Sequence, residues 1–250
     1  MEGGTIIETR DLTKRYGHQT AVNRLNLKVN GGEIFGFLGP NGAGKTTTLL
    51  MLLGLSRPSR GGAIVCGLDP LKRAREVKRH VGYLPENVGF YGDMDAVQSL
   101  EYVADLNGLE RRKAAQEIDD LLNLVGLQEN ARKKTAAFSR GMRQRLGIAE
   151  VLMKDPDVLF LDEPTLGLDP EGAIQMVGLI QTLNESRNMT VLLSSHNLQQ
   201  VQRISHRVGI MIAGNLIAEG SIDELAKERF GVGEKAYSLE EIYLKYFQEV

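Results

Sequence analysis

The segment Gly39-Pro40-Asn41-Gly42-Ala43-Gly44-Lys45-Thr46 constrains this chain more than any other part of it. It places three glycines in eight residues, after an apolar run at 33–38 that reads as a buried strand and before a helical pattern at 45–53. Glycines let a backbone curl tightly enough for successive N–H groups to point inward. The positive end of the following helix then adds to the same focus, and the result is a cradle for an anion. Phosphate oxygens fit that description, with Lys45 reaching the outer phosphates of a nucleotide and Thr46 offering a hydroxyl to Mg2+.

The rest of the chain repeats the same rhythm. Strand-like runs precede helical ones at 157–161 and 170–183, and again at 190–194 and 198–204. Alternation of this kind predicts an α/β fold with a mostly parallel sheet and helices on both faces. The opening differs: residues 5–15 and 20–30 read as two strands joined by the turn Tyr16-Gly17-His18-Gln19, an antiparallel β subdomain on the N-terminal side. Strand signals vanish between residues 86 and 154, where 96–107, 114–125 and 141–153 look helical, so an inserted helical subdomain is expected at about 87–154. From Ser238 onward Leu239, Ile242, Tyr243, Tyr246 and Phe247 share one helical stripe, which could pack on its own domain or on a partner.

Two further segments carry chemistry. The hydrophobic run 158–161 ends in Asp162-Glu163. An acid at the carboxyl end of a parallel strand sits where such sheets present ligands, so Asp162 can hold a metal shell and Glu163 can polarise a water. The segment Ser139-Arg140-Gly141-Met142-Arg143-Gln144-Arg145 opens a helix, with Ser139 as a natural cap and free N–H groups for an anion.

Composition sets limits on partners. A formal net charge of -2 with an isoelectric point near 6.1 creates no global field toward nucleic acid or anionic lipid. No apolar run approaches the roughly 20 residues that cross a bilayer. Nor does a secretory leader open the chain, and Cys66, its one cysteine, can form no internal disulfide, which together point to the cytoplasm. The four histidines and Cys66 show no metal-ligand spacing.

In order and spacing these pieces resemble the nucleotide-binding domain of the ATP-binding cassette (ABC) superfamily. The resemblance is carried by Tyr16 before the cradle, 81–87 after it, 138–145 upstream of Asp162, Leu161-Asp162-Glu163-Pro164-Thr165, Gly167-Leu168-Asp169-Pro170 and Ser194-Ser195-His196, and it covers nearly all of residues 5–225. It implies a P-loop NTPase core, with an ATPase domain over 1–230 and a C-terminal amphipathic helical tail over 231–250. By position it makes Tyr16 the aromatic that stacks on adenine, and Gly39, Pro40, Asn41, Gly42, Ala43, Gly44, Lys45, Thr46 and Thr47 the P-loop. Thr46, Asp162 and Glu86 become metal contacts, Glu163 the catalytic carboxylate and His196 the contact to the γ-phosphate and attacking water. Asp169 belongs to a loop that crosses a dimer, and Ser139, Arg140 and Gly141 serve the ATP held by the other copy.

The same resemblance implies a homodimer closed around two MgATP that drives integral membrane permease subunits. It also implies a cytoplasmic protein peripheral at the inner face of the cell membrane, touching it only through the permease and binding no nucleic acid. Two departures stand out. Glu86 occupies a position where the family usually has glutamine, and Phe138-Ser139-Arg140-Gly141-Met142 replaces the usual Leu-Ser-Gly-Gly-Gln. Both variants resemble exporter-type members with separately encoded permeases, including antibiotic and sodium exporters. The stretch 82–88, followed by Phe90-Tyr91, also resembles ATPases of nitrous-oxide-reductase maturation and copper or sulfur delivery. Two other classes compete: a soluble ABC ATPase acting on ribosomes or DNA, and a nucleotide-sensing module with little turnover. Translation relatives usually carry two such domains and DNA-repair relatives a long coiled-coil insert, neither of which is evident here.

Overall fold

A computed structural model describes residues 4–231 and 237–248 of the chain. The first residues of the expected domain and parts of its expected tail lie outside these bounds. Gly17 and His18 reverse the chain so that β1 (Thr5–Tyr16) pairs antiparallel with β2 (Gln19–Leu25). The expectation of a single second strand through residue 30 does not hold. Asn26 accepts from the Asp11 N–H at 2.9 Å and donates to Arg24 O at 3.0 Å, which interrupts the ladder. The chain resumes as β3 (Lys28–Asn30), paired with another stretch of β1. Next, β4 (Ile34–Leu38) enters a second sheet and α1 (Lys45–Leu52) follows it. The strand β5 (Arg60–Val65) then returns to β1. Its Arg60-Gly61-Gly62-Ala63 opening has little β-propensity, so only pairing with β1 makes it a strand.

The main sheet is completed later. Helix α2 (Ala74–His80) leads into β6 (Val81–Leu84), and helices α3 (Ala96–Leu106), α4 (Arg111–Leu124) and α5 (Arg140–Leu152) form a helical layer. Then come β7 (Val158–Asp162), α6 (Pro170–Arg187), β8 (Thr190–Ser195), α7 (Leu198–Ile204), β9 (Arg207–Ile212), β10 (Asn215–Gly220), α8 (Ile222–Phe230) and α9 (Leu239–Phe247). The strand order is β10-β9-β4-β8-β7-β6, parallel except for β10 at the edge.

Every residue of β4, β7 and β8 is buried, as expected of parallel strands covered on both faces. Side chains alternate between two cores. Phe35, Phe37, Phe160 and Leu192 face the N-terminal sheet. Ile34, Leu38, Leu159, Leu161, Val191 and Leu193 face the helices. Gly36 lies on that helical side because α7 approaches the sheet closely: a Cβ there would stand 2.4 Å from Val201 Cγ1. At the tail, Leu239, Ile242 and Tyr246 are buried, with α9 packed on α7 and α8. Phe247 and Leu244 remain exposed.

Two stability predictions follow from this packing. Gly36→Ala should cost about 1–3 kcal/mol through overpacking, read as a lower midpoint in thermal unfolding. Glu150 on α5 is the second case, since burial pushes its carboxyl from the ordinary 4.5 up to about 7. The folded state therefore keeps its proton where the unfolded state has lost it, and stability falls as pH rises from 4.5 through about 7. Glu150→Gln should remove that dependence. Its gain in denaturant unfolding should reach the order of 3 kcal/mol above neutrality and vanish in acid.

Candidate active site

Parallel register brings the functional loops to one edge. Leu38 pairs with Ser195, Asp162 with Ser194, and Leu84 with Leu161. The loops after β4, β6, β7 and β8 consequently leave the sheet at the same end, where α/β sheets bind ligands. The loop after β4 holds its shape through Gly44, which has φ 105° and lies so close to β2 that a Cβ would be 2.3 Å from Ala21 O. No other residue type fits there.

A cleft of about 390 Å³ opens over this loop, lined by Asn41, Gly42, Ala43, Gly44, Lys45, Thr46 and Thr47 together with Tyr16, Gln19, Ala21, Glu86 and Glu163. Tyr16 is 52% exposed, with Lys14 Nζ 4.8 Å from its ring centre. It offers a flat apolar face at the mouth of the cleft. Sequence reasoning named Tyr16 but missed Gln19 and Ala21, whose only signal is their place at the start of β2, just past the turn that follows Tyr16.

At the floor, three charged or titratable groups form a line. Lys45 Nζ donates to Gly39 O at 2.6 Å and Pro40 O at 3.3 Å, and stands 3.4 Å from Glu163 Oε1. Glu163 Oε2 accepts from the His196 N–H at 3.3 Å and lies 2.8 Å from His196 Nδ1. An ionised carboxylate only accepts, so the proton of the imidazole belongs on Nδ1 and Nε2 is left facing away. Glu163 itself sits at φ 49°, a left-handed conformation costing about 1–3 kcal/mol for a non-glycine residue. The strain is held by its N–H, which donates to both Ser194 O and Ser194 Oγ at 3.1 Å.

Beside this line is an oxygen cluster. Thr46 Oγ1 donates to Asp162 Oδ1 at 3.0 Å, and buried Ser194 Oγ donates to the same oxygen at 2.5 Å. Burial and the neighbouring carboxylates of Asp162 and Glu86 push the Tyr83 phenol up to about 12, so it stays protonated. Thr46, Asp162 and Glu86 offer only hard oxygen donors, the set that Mg2+ takes. Ser194 and Tyr83 were not marked as site residues by sequence. Their roles depend on cross-strand neighbours that no spacing encodes.

The remaining predicted residues lie elsewhere on this chain, outside the lining of the cleft. Ser139 caps α5, its Oγ accepting from the Met142 N–H at 3.2 Å. The Arg140 guanidinium lies over Gly167, where a Cβ would meet Nη1 at 2.6 Å, and so packs against the loop leading to α6. Gly141 faces Leu168 across the same seam. Asp169 caps α6 by accepting from the Gly172 N–H at 3.1 Å.

Comparison with known proteins gives a consistent picture. The family model described as "ABC transporter" matches residues 22–166. The bacitracin transport ATP-binding protein BcrA of Bacillus licheniformis is 45% identical over 223 residues, 89% of this chain and 72% of that protein. A solved ATP-binding subunit of an ABC transporter superposes with a TM-score of 0.85 at 28% identity, covering 97% of this chain and 100% of the other. A dimeric post-hydrolysis cassette, MJ0796 bound to ADP and Pi, has the same fold with a TM-score of 0.77 at 21% identity, covering 86% of this chain and 98% of the other.

The hydroxyl of Ser194 donates to the Asp162 carboxylate and accepts from the Glu163 backbone N–H. Ser194→Ala should lower unfolding free energy by about 1.5–3 kcal/mol, the worth of a hydrogen bond to a charged group. In an Asp162→Asn background the loss should shrink, measured as a double-mutant cycle in denaturant.

Proposed function

The chain belongs to the ABC transporter family, and from that membership we propose that it is the ATP-hydrolysing subunit of an exporter whose membrane-crossing part is a separately encoded permease. ATP binding and hydrolysis are its activity, and the fold is that of an ABC ATPase cassette. The observation that carries the reading is the convergence of Lys45, Thr46 and Glu163 in one cleft with the glycine cradle.

In this proposal the N–H groups around Gly42 and Gly44 and the α1 N-terminus bind the β- and γ-phosphates, while Lys45 leaves the Gly39 carbonyl to join them. Tyr16 stacks on the base. Thr46, Asp162 and Glu86 would hold a magnesium ion, which when bound neutralises phosphate charge. Glu163 polarises the attacking water, and its bond to His196 fixes that imidazole beside the γ-phosphate, with Nε2 free to accept from the same water. A base already within hydrogen-bonding distance of its orienting partner needs little rearrangement to act.

Ser139, Arg140, Gly141 and Asp169 act on the nucleotide held by a second copy, which is why they sit apart from the cleft of their own chain. ATP thereby favours the closed pair by its differential affinity for that state. The dimeric form of a cassette with the same fold supports this arrangement. The helical layer offers the permease an apolar surface: Tyr91, Tyr102 and Leu106 are 59%, 41% and 69% exposed, and the two tyrosine rings meet edge to face at 5.7 Å. Among the described residues no helix is long and apolar enough to cross a membrane, and in this proposal membrane contact at the inner face comes through the permease. The relative named as a bacitracin transport ATP-binding protein supports an antibiotic-like cargo.

Glu163→Gln should bind ATP normally, lose at least about 100-fold in turnover and accumulate as a dimer in size-exclusion chromatography with light scattering. Normal hydrolysis by that variant would exclude Glu163 as the key carboxylate. In the wild type, specific activity should climb with protein concentration, since each site is completed by another copy.

A further inference from the structure

We infer that Gln144 is a positioning residue: by tethering the loop that carries Glu86 to helix α5, it sets where Glu86 stands against the nucleotide cradle. The inference rests on the reading of Glu86 as a metal contact and deepens it.

Glu86 lines the cleft, yet it lies beyond the end of β6, where no strand ladder holds the backbone. Among the described residues, the bond from Gln144 Nε2 to Glu86 O, at 3.1 Å, is the one hydrogen bond that residues 85–90 make. One turn further along α5, Gly147 admits the loop to close contact. A Cβ at Gly147 would stand 2.6 Å from Leu84 Cδ1 and 3.0 Å from Val88 Cγ1. Residues three apart share a helix face, so Gln144 and Gly147 grip the loop on both sides of Glu86.

Packing does not explain the amide. Gln144 is 2% exposed, and its Oε1 is buried without a hydrogen-bond partner, an unfavourable state that leucine or methionine would avoid at similar volume. What the amide adds is the single donor to Glu86 O. Because α5 opens on Ser139 and Gly141, a displacement of the helix tip is carried to Glu86 through this side chain. The same helix that meets the partner's nucleotide thus adjusts the carboxylate facing its own.

The test measures binding rather than turnover: calorimetric affinity for a non-hydrolysable ATP analogue, with and without Mg2+. Gln144→Leu should reduce the tightening produced by Mg2+ about 10-fold, the usual scale for a group that orients a metal contact. Affinity without metal should stay within about twofold, and in a Glu86→Ala background the same substitution should change nothing further. Gln144→Met carries the same test should the leucine variant not fold. If Glu86→Ala weakens the magnesium effect and neither Gln144 variant does, the tether is overturned while Glu86 keeps its role. Should Glu86→Ala leave the magnesium effect intact, the reading of Glu86 fails and the inference with it. An equal effect of Gln144→Leu in both backgrounds would also overturn it, since that is the mark of a residue that only fills the core.

Discussion

Ser194 lies opposite Asp162 in the parallel pairing of β7 and β8, and its short bond to that carboxylate joins two strands at the point where both enter the site. The same residue holds the strained backbone of Glu163 through its carbonyl and its hydroxyl. Three functions therefore rest on one cross-strand contact. Asp162 is aimed at Thr46, Glu163 is turned toward Lys45, and His196, two residues after Ser194, is delivered to Glu163. A shift of one residue in this register would send alternate side chains to the opposite face and separate all three.

Burial makes that arrangement rigid. The strands β4, β7 and β8 are wholly enclosed between the core under the N-terminal sheet, to which Phe35, Phe37 and Phe160 contribute, and the core under the helices. In such surroundings charged groups persist only when paired, and here Lys45, 6% exposed at its side chain, pairs with Glu163 at 8%. In the proposed function pairing and catalysis use the same atoms, so the groups that stabilise this floor are those assigned to the reaction.

The outer elements are stitched to the floor by fewer contacts. Arg207 joins the two sheets by bonding Glu33 at 3.0 Å, Glu219 at 2.5 Å and the Lys28 carbonyl at 3.2 Å. Helix α7, which follows His196, bonds Thr165 through Gln200 and receives the Leu239 N–H on Gln202 at 2.8 Å. The loop before Asp169, the histidine loop and the tail helix α9 are therefore connected through one short helix. On the other side, among the described residues, Gln144 makes the hydrogen bond by which α5 holds the Glu86 loop. Small numbers of bonds between large bodies allow those bodies to shift relative to one another.

Much of the site was legible before any fold was known. The cradle from Gly39 to Thr47 and the acids Asp162 and Glu163 are local patterns, glycines where the backbone must curl and acids at the end of a buried strand, while His196 was legible only through the family resemblance. The parallel core was legible for the same reason, since its strands are short apolar runs set between helices. What sequence could not supply were contacts between distant segments. The glycine-rich β5 becomes a strand only beside β1, and the second N-terminal strand breaks at Asn26 because Asp11 lies within reach. Ser194 and Tyr83 enter the site because strand register sets them beside Asp162, and Gln144 meets Glu86 because Gly147 lets a helix lie against a loop 58 positions earlier in the chain. Local residue types fix which chemistry a segment can offer, whereas the position of that chemistry relative to its neighbours is decided by long-range packing, whose partners leave no mark at either end of the sequence.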